Sequence, residues 1–380
     1  MSSSRRNFLV AGLGLPAAAS ASRTAAALAP TAPQFQTGTL GKTGLKVTRV
    51  GFGCMVTSDG SVIERAADAG ITYFDTARVY SNGNNERMVG AALKNKRKNI
   101  VLSSKTGART KQEALAHLDT SLKELGTDWL DIWYLHGRSS PAQVTDDLIE
   151  AQQIAKKAGK IRFAGVSTHS GQVELIPWLA KNPAMDVILT AYNFTMDPEM
   201  AKVIEAARQA GKGVVAMKVM AGGFRRAKPG TPLGDKLKRE GALVAALKWV
   251  LKNPHIDTTV PSITDMDQLD EDIKAGTAAF TAADEKLLAG YLRDIGPLYC
   301  RMCGKCEGTC RQGLPVADII RILTYSDGYG EFSLARERYL ELPREQAQAR
   351  CGGCSGCTVE CPYGVRVAQR VGRAQELFAC

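Results

Sequence analysis

Between residues 38 and about 294 the chain alternates short runs rich in β-branched and aromatic residues with longer runs of helical period. The short runs are VTRVGFG (47–53), ITYFDT (71–76), NIVLSSK (99–105), DWLDIWYLH (128–136), IRFAGVS (161–167), MDVILTAYN (185–193), GVVAMKV (213–219) and IDTTVPS (256–262). The stretches between them include EALAHLDTSLKEL (113–125) and AKVIEAARQA (201–210). Their apolar residues recur every three or four positions, the spacing of one helix face. Eight strands with helices between them predict an α/β chain in which residues 38–294 form a (β/α)8 TIM barrel. The stretch TGTLGKTGLK, directly before the first run, reads as a hairpin closing the barrel floor.

The polar positions are as regular as the apolar ones. At the carboxyl ends of the predicted strands stand Asp75, Lys105, His136, Ser167, Asn193, Lys218 and Ser262. Barrels of this kind gather their chemistry at that end. One polar strand end is what any capped loop provides; seven in register predict a site.

Residues 295–380 follow a different pattern. Eight of the ten cysteines fall in two runs, CRMCGKCEGTC (300–310) and CGGCSGCTVECP (351–362), both spaced C-x2-C-x2-C-x3-C. Such a run wraps three thiolates around a cubane cluster and turns the fourth away to a second cluster. The expected metal ligands are Cys300, Cys303, Cys306, Cys310, Cys351, Cys354, Cys357 and Cys361, holding two 4Fe–4S clusters in a small, mainly helical ferredoxin-like domain. The three-residue gap predicts an exchange of ligands: Cys361 joins Cys300, Cys303 and Cys306, while Cys310 joins Cys351, Cys354 and Cys357. Zinc is the rival occupant, and the proline after Cys361 favours iron–sulfur. Disulfides are disfavoured, because four thiols within eleven residues suit a metal cage better than a stapled scaffold. Of the other two, Cys54 reads as buried and Cys380 as a tail thiol.

FDTARVYSNGNNERMVGAAL (74–93), SSK (103–105), DIWYLH (131–136), GVST (165–168) and the opening TLGKTGLKVTRVGFG resemble the aldo-keto reductase family, over roughly residues 38–294. The tail resembles a subset of that family ending in two four-cysteine iron–sulfur motifs. The resemblance implies a catalytic tetrad of Asp75, Tyr80, Lys105 and His136, and interconversion of a carbonyl and an alcohol by hydride transfer from NADP or NAD. In that scheme Tyr80 donates the proton, Lys105 lowers the phenol's pKa, Asp75 holds Lys105, and His136 orients the carbonyl oxygen. The family binds its dinucleotide across the barrel mouth without a glycine-rich loop. That implies contacts from Ser167, Asn193, Lys218, Gly222 and the segment 261–272, with Pro261, Ser262, Gln268 and Asp272 in it. Three positions depart from the family's pattern. Thr168 follows Ser167 where an asparagine is usual, and Leu189 stands where a glutamine is common. Gln268, in an acidic loop, stands where an arginine often grips the 2′-phosphate of NADP, so the choice between NADP and NAD stays open. The loop HGRSSPAQ after His136 and the segment AGGFRRAKPG (221–230) are expected to shape the substrate pocket.

Composition narrows the rest. Apolar residues make up 44% and charged residues 23% of the 380, as in a packed globular protein. The net charge of +11 is dispersed along amphipathic stretches, which argues against nucleic acid as a partner. Arg5 and Arg6 precede a short, glycine-interrupted apolar run and an alanine-rich stretch, the pattern of a twin-arginine signal over residues 1–29. Removing it takes away Arg5, Arg6 and Arg23, so +11 becomes +8. The apolar run is too short to span a bilayer, so no membrane span is expected in the mature protein, and its expected location is periplasmic or otherwise exported. The expected partners are a small carbonyl or alcohol substrate and a redox partner protein. A second reading stands beside the enzyme: an electron-transfer or binding protein on a degenerate reductase barrel. The complete tetrad favours the enzyme, and the altered cofactor positions favour the alternative.

Overall fold

An antiparallel hairpin of β1 (Thr37–Thr39) and β2 (Lys46–Thr48) precedes eight parallel strands. These are β3 (Phe52–Gly53), β4 (Tyr73–Asp75), β5 (Val101–Thr106), β6 (Leu130–Leu135), β7 (Ile161–Thr168), β8 (Val187–Ala191), β9 (Gly213–Met217) and β10 (Thr258–Thr259). Each pairs with the next in sequence, and the parallel bridges Val50–Thr259 and Gly53–Ser262 join the last strand to the first. The sheet closes on itself as the expected (β/α)8 barrel. The computed structural model describes residues 35–222, 232, 235–236 and 241–379, all within one compact unit. The expected signal at 1–29, most of AGGFRRAKPG (residues 223–230) and Cys380 lie outside the described residues.

The predicted first strand, 47–53, is corrected: its start belongs to the hairpin and only its end to the barrel wall. The glycines explain where the chain changes role. A Cβ on Gly51 would stand 2.6 Å from the Thr259 carbonyl oxygen, and one on Gly53 would stand 2.8 Å from that of Val260. Only glycine lets the seam close this tightly.

The period of two sorts each strand. Tyr73, Val101, Ile132, Tyr134, Val187, Leu189, Val215 and Met217 fill the barrel interior above a floor of Leu40, Leu45 and Val47. Phe74, Leu102, Trp133, Ile188 and Val214 point out into the core shared with the helices. Further along the inner face, in steps of two, come Asp75 after Tyr73, Ser103 and then Lys105 after Val101, and His136 after Tyr134. The alternation that builds the interior thus delivers the polar side chains to its upper end.

Helix Ala282–Ile295 ends the barrel region, close to the predicted boundary. Beyond it are the helices Val316–Asp327, Phe332–Leu340, Arg344–Gln348 and Val367–Phe378. Ile319, Ile320, Leu323, Ala335, Tyr339, Val371 and Phe378 form a second core, against which Cys300, Cys306, Cys310, Cys351 and Cys361 pack. Val56, from the loop after β3, belongs to this core too, so the helical region sits on the barrel mouth. Where the helix Val316–Asp327 ends, a Cβ on Gly328 would stand 2.0 Å from the Gly222 carbonyl oxygen, a contact only glycine permits. No helix of the described residues is long and apolar enough to cross a membrane.

Candidate active site

The Lys105 ammonium is the hub of the site and is 1% exposed. It pairs with Asp75 Oδ2, donates 2.7 Å to the Thr76 carbonyl, and lies 3.3 Å from the Tyr80 hydroxyl. Ser103 donates 2.6 Å to the other Asp75 oxygen, which fixes that carboxylate from the neighbouring strand. Burial pulls the Lys105 pKa down, and Asp75 and Tyr80 together more than restore it, so the ammonium stays charged.

Tyr80 comes from a turn rather than a strand. Ser81 (φ 48°), Asn82 (φ 52°) and Gly83 (φ 86°) hold left-handed backbone, which bends the chain back under the phenol. The turn is braced from behind. Asn85 donates 2.7 Å to the Cys54 carbonyl and accepts 2.6 Å from Thr76. Buried Glu86 accepts from Ser104 at 2.6 Å and pairs with Arg78. His136 meets the Tyr80 ring edge-on at 5.8 Å between centroids, and His169 lies beyond it at 6.4 Å. The four tetrad side chains expected from the sequence are therefore brought together.

One expectation about them is corrected. Lys105 does act to lower the Tyr80 pKa, but burial acts the other way and is stronger, so the phenol sits above its ordinary value. It enters the reaction fully protonated. Burial likewise drives His136 well below its ordinary value, with Lys105, Arg338, Arg138 and Arg321 adding to the effect, so the ring is neutral at neutral pH. A neutral imidazole beside a protonated phenol can donate two hydrogen bonds to one oxygen.

The predicted cofactor residues divide. Lys218, Pro261, Ser262 and Gln268 line the cavity above Tyr80. Gln268 is itself held, accepting from the Thr264 N–H at 3.1 Å and donating 2.7 Å to Asp265. Ser167 and Asn193 are fully buried. Ser167 accepts 2.9 Å from the Gly137 N–H, and Asn193 donates to the Lys218 carbonyl at 3.0 Å and the Tyr299 hydroxyl at 3.1 Å. Asn193 thus braces the strand-end loop, its oxygen taken by Thr195 at 2.7 Å. Asp272 is fully buried in the helix Met266–Thr277, and Gly222 lies under Gly328.

Sequence reasoning missed the residues arriving from the helical region. Tyr329 lines the cavity. Tyr325 lies under Lys218, whose ammonium is 4.6 Å from its ring centroid, and Arg321 donates 3.0 Å to its hydroxyl. Arg338 donates 2.9 Å to the Val79 carbonyl. LTYSDGYG shows tyrosines at helical spacing, but nothing local says which surface they cover. His169, just past the end of β7, could have been found by the same strand-end reasoning that found His136.

The nine described cysteines are free thiols. Burial raises the Cys300 pKa to about 12, with Cys306, Cys303 and Cys361 among the groups that push it further. Cys351 is raised by burial and by Cys357, Cys310 and Cys354. Each of these two thiols thus feels one cysteine of the other run, Cys300 feeling Cys361 and Cys351 feeling Cys310. Donors reach two of the sulfurs: the Met302 N–H to Cys300 at 3.3 Å and Gln312 Nε2 to Cys354 at 3.5 Å. Thr358 ties the two loops together by donating 2.9 Å to the Thr309 carbonyl. Among the described residues no three histidine, cysteine, aspartate or glutamate side chains converge as they would on a single metal ion.

Residues 58–291 match the family model "Aldo/keto reductase family". An uncharacterized oxidoreductase of Bacillus subtilis, YqkF, is 27% identical over 287 residues, 65% of this chain and 92% of its own. L-galactose dehydrogenase of Arabidopsis thaliana is 26% identical over 279 residues, 63% and 87%. Among solved structures, aldo-keto reductase AKR11C1 from Bacillus halodurans in its holo form aligns with a TM-score of 0.58 at 26% identity, covering 68% of this chain and 96% of that one. The family match ends before the first cysteine run.

Proposed function

The chain belongs to the aldo/keto reductase family and is an oxidoreductase of that kind; from this premise we propose that it is exported and interconverts a small carbonyl compound and its alcohol, with Tyr80 as the proton donor. The observation that carries the mechanism is the contact of Tyr80 with Lys105, 3.3 Å apart, with Asp75 on the far side of the ammonium. A dinucleotide fits the site in part: Lys218, Ser262 and Gln268 present polar groups to the cavity beside Tyr80, while Ser167 and Asn193 are spent on bracing loops. A nicotinamide bound there supplies the hydride. The protein's own groups handle the oxygen. His136 and Tyr80 donate to it as it gains negative charge, and Tyr80 gives up its proton to the far more basic alkoxide. Lys105 steadies the phenolate that results, and Asp75 keeps Lys105 charged and in place.

The second half of the proposal gives the cysteines two 4Fe–4S clusters, coupled to the barrel or supporting it. All-thiol runs of the ferredoxin spacing, with Cys300, Cys306, Cys310, Cys351 and Cys361 packed on an apolar core, support that chemistry. The clusters carry single electrons when bound. In this reading residues 295–380 form a ferredoxin-like domain, and residues 1–29 direct the folded protein through the twin-arginine route. Arg5→Lys with Arg6→Lys is expected to leave the protein in the cytoplasm; undiminished export would remove that part of the reading.

The test of the mechanism is Tyr80→Phe, which keeps the ring but removes the proton. Carbonyl reduction with NADH or NADPH is expected to fall by roughly 10²–10⁴-fold with the fold intact. Lys105→Met added to it should cost little more, since both act on one proton donor. Wild-type turnover in Tyr80→Phe would eliminate this mechanism.

A further inference from the structure

Lys218 is a cation in the wall of the catalytic cavity without a matching anion. It stands just past the end of β9 with left-handed backbone (φ 57°), which turns its side chain into the cavity that Tyr80 also lines. Among the described residues no carboxylate forms an ion pair with it. Its ammonium faces aromatic rings instead, 4.6 Å from the centroid of Tyr325 and 5.3 Å from that of Tyr329, with the Tyr325 hydroxyl at 3.5 Å. Arg321 approaches the same hydroxyl from the other side at 3.0 Å, and its remaining charge is met by Asp318 at 2.9 Å. Ring faces soften the loss of water around an ammonium, but they do not replace a counter-ion. Burial raises the pKa of the Tyr325 hydroxyl, but Lys218 and Arg321 outweigh it and bring it to about 8. At neutral pH that hydroxyl is therefore mostly un-ionised and, among the described residues, Lys218 has no carboxylate to balance its charge beside Tyr80.

We propose that Lys218, walled by Tyr325 and Tyr329, binds a carboxylate on the carbonyl substrate, making the protein an oxidoreductase of oxo acids and hydroxy acids. This rests on the carbonyl-reductase reading of the tetrad. The carbonyl carbon gains a hydride and its oxygen gains the Tyr80 proton, giving a hydroxy acid as the reduced dinucleotide is oxidised. Tyr325 and Tyr329 lie beyond the residues that match the family, so the anion site is completed by this chain's own C-terminal region. That also gives the region a task at the barrel mouth that does not depend on its cysteines.

Anionic oxygens at Lys218 could come from a substrate carboxylate or from a dinucleotide's phosphates, and the experiment separates them. Phenylglyoxylate and its methyl ester present the same ketone with and without the charge. The full-length protein is expected to prefer the acid in kcat/KM. Lys218→Met is expected to reduce that preference roughly 10–100-fold, the usual effect of losing a hydrogen bond to a charged group, while Lys218→Arg retains it. An unchanged preference in Lys218→Met overturns the proposal, and so does a rise in the dinucleotide KM with the preference intact. If the wild-type protein reduces neither compound, binding is read in place of turnover. Calorimetric titration of oxalate then decides the subsite: binding by the wild-type protein that Lys218→Met loses upholds it, and equal binding or none overturns it.

Discussion

Arg338, on a helix of the C-terminal region, donates a 2.9 Å hydrogen bond to the carbonyl oxygen of Val79, the residue before Tyr80. The same guanidinium pairs with Glu341 at 2.7 Å, which holds it against the barrel. The turn carrying Tyr80 is therefore braced from two sides, by Asn85 and Glu86 behind it and by Arg338 above. Arg338 is a positioning residue. Arg338→Ala is expected to lower kcat about ten-fold with little change in KM, because small displacements of a proton donor are costly. Arg338→Lys should restore part of the loss. Steady-state kinetics with a neutral carbonyl decide it: a KM effect alone, or none, tells against the brace.

The pKa directions at the tetrad predict that its own groups leave the pH profile featureless in the reducing direction. Tyr80 lies above its ordinary value of 10.0 and His136 well below 6.5, so neither changes protonation between them. With a neutral carbonyl, the tetrad itself should add no step to kcat/KM between pH 6.5 and pH 9; an inflection near pH 8 would belong to Tyr325, which burial raises but Lys218 and Arg321 bring down to about 8. In Lys105→Met the phenol loses the charge that stabilises its ionised form, so turnover drops at every pH rather than shifting in profile. A bell centred near neutrality in the wild-type protein would contradict this assignment of protonation states.

The barrel was legible because eight short β-branched and aromatic runs alternate with stretches of helical period. The carboxyl ends of those runs placed Asp75, Lys105 and His136 at one end of the barrel. Tyr80 needed the family resemblance, since a turn with three left-handed residues leaves no periodic trace. The cofactor positions are less direct for a physical reason: Asn193 stands at a strand end, but its amide is taken by Lys218, Tyr299 and Thr195, and Ser167 already accepts from Gly137. Arg321, Tyr325, Tyr329 and Arg338 could not be placed at all. They reach the site by docking one helical layer on another, and surface complementarity is not written in local spacing.

Acid should weaken the fold through two half-buried histidines, His136 and His169. Burial lowers His136 and His169 well below 6.5, and the cations around them, among them Lys105 and Lys218, push the same way. An unfolded chain binds protons on both rings as the pH drops past about 6.5, while the folded protein does not, so stability is present above that value and is lost below it. Both rings are half-buried, and solvent screening limits the loss to roughly 1 kcal/mol each by pH 5. The melting temperature is therefore expected to fall between pH 7 and pH 5, and His169→Gln should flatten the slope. An equal slope in that variant rules out His169 as a contributor.

The two thiol sets make the last prediction a matter of pairing. If each cysteine run served its own cluster, Cys361 would share ligands with Cys351; the grouping around Cys300 instead includes Cys361. Anaerobically purified protein is expected to hold about eight irons, four per cluster. Serine at one ligand position should release one cluster and leave about four. Two double variants then separate the arrangements. Cys300→Ser with Cys361→Ser removes two ligands of one exchanged set, so about four irons should remain. Cys351→Ser with Cys361→Ser strikes both sets, and little iron should remain. Sequential pairing reverses the two outcomes. Stoichiometric zinc in place of iron, or disulfides among these cysteines, would withdraw the clusters and leave the helical region as the wall of the catalytic cavity.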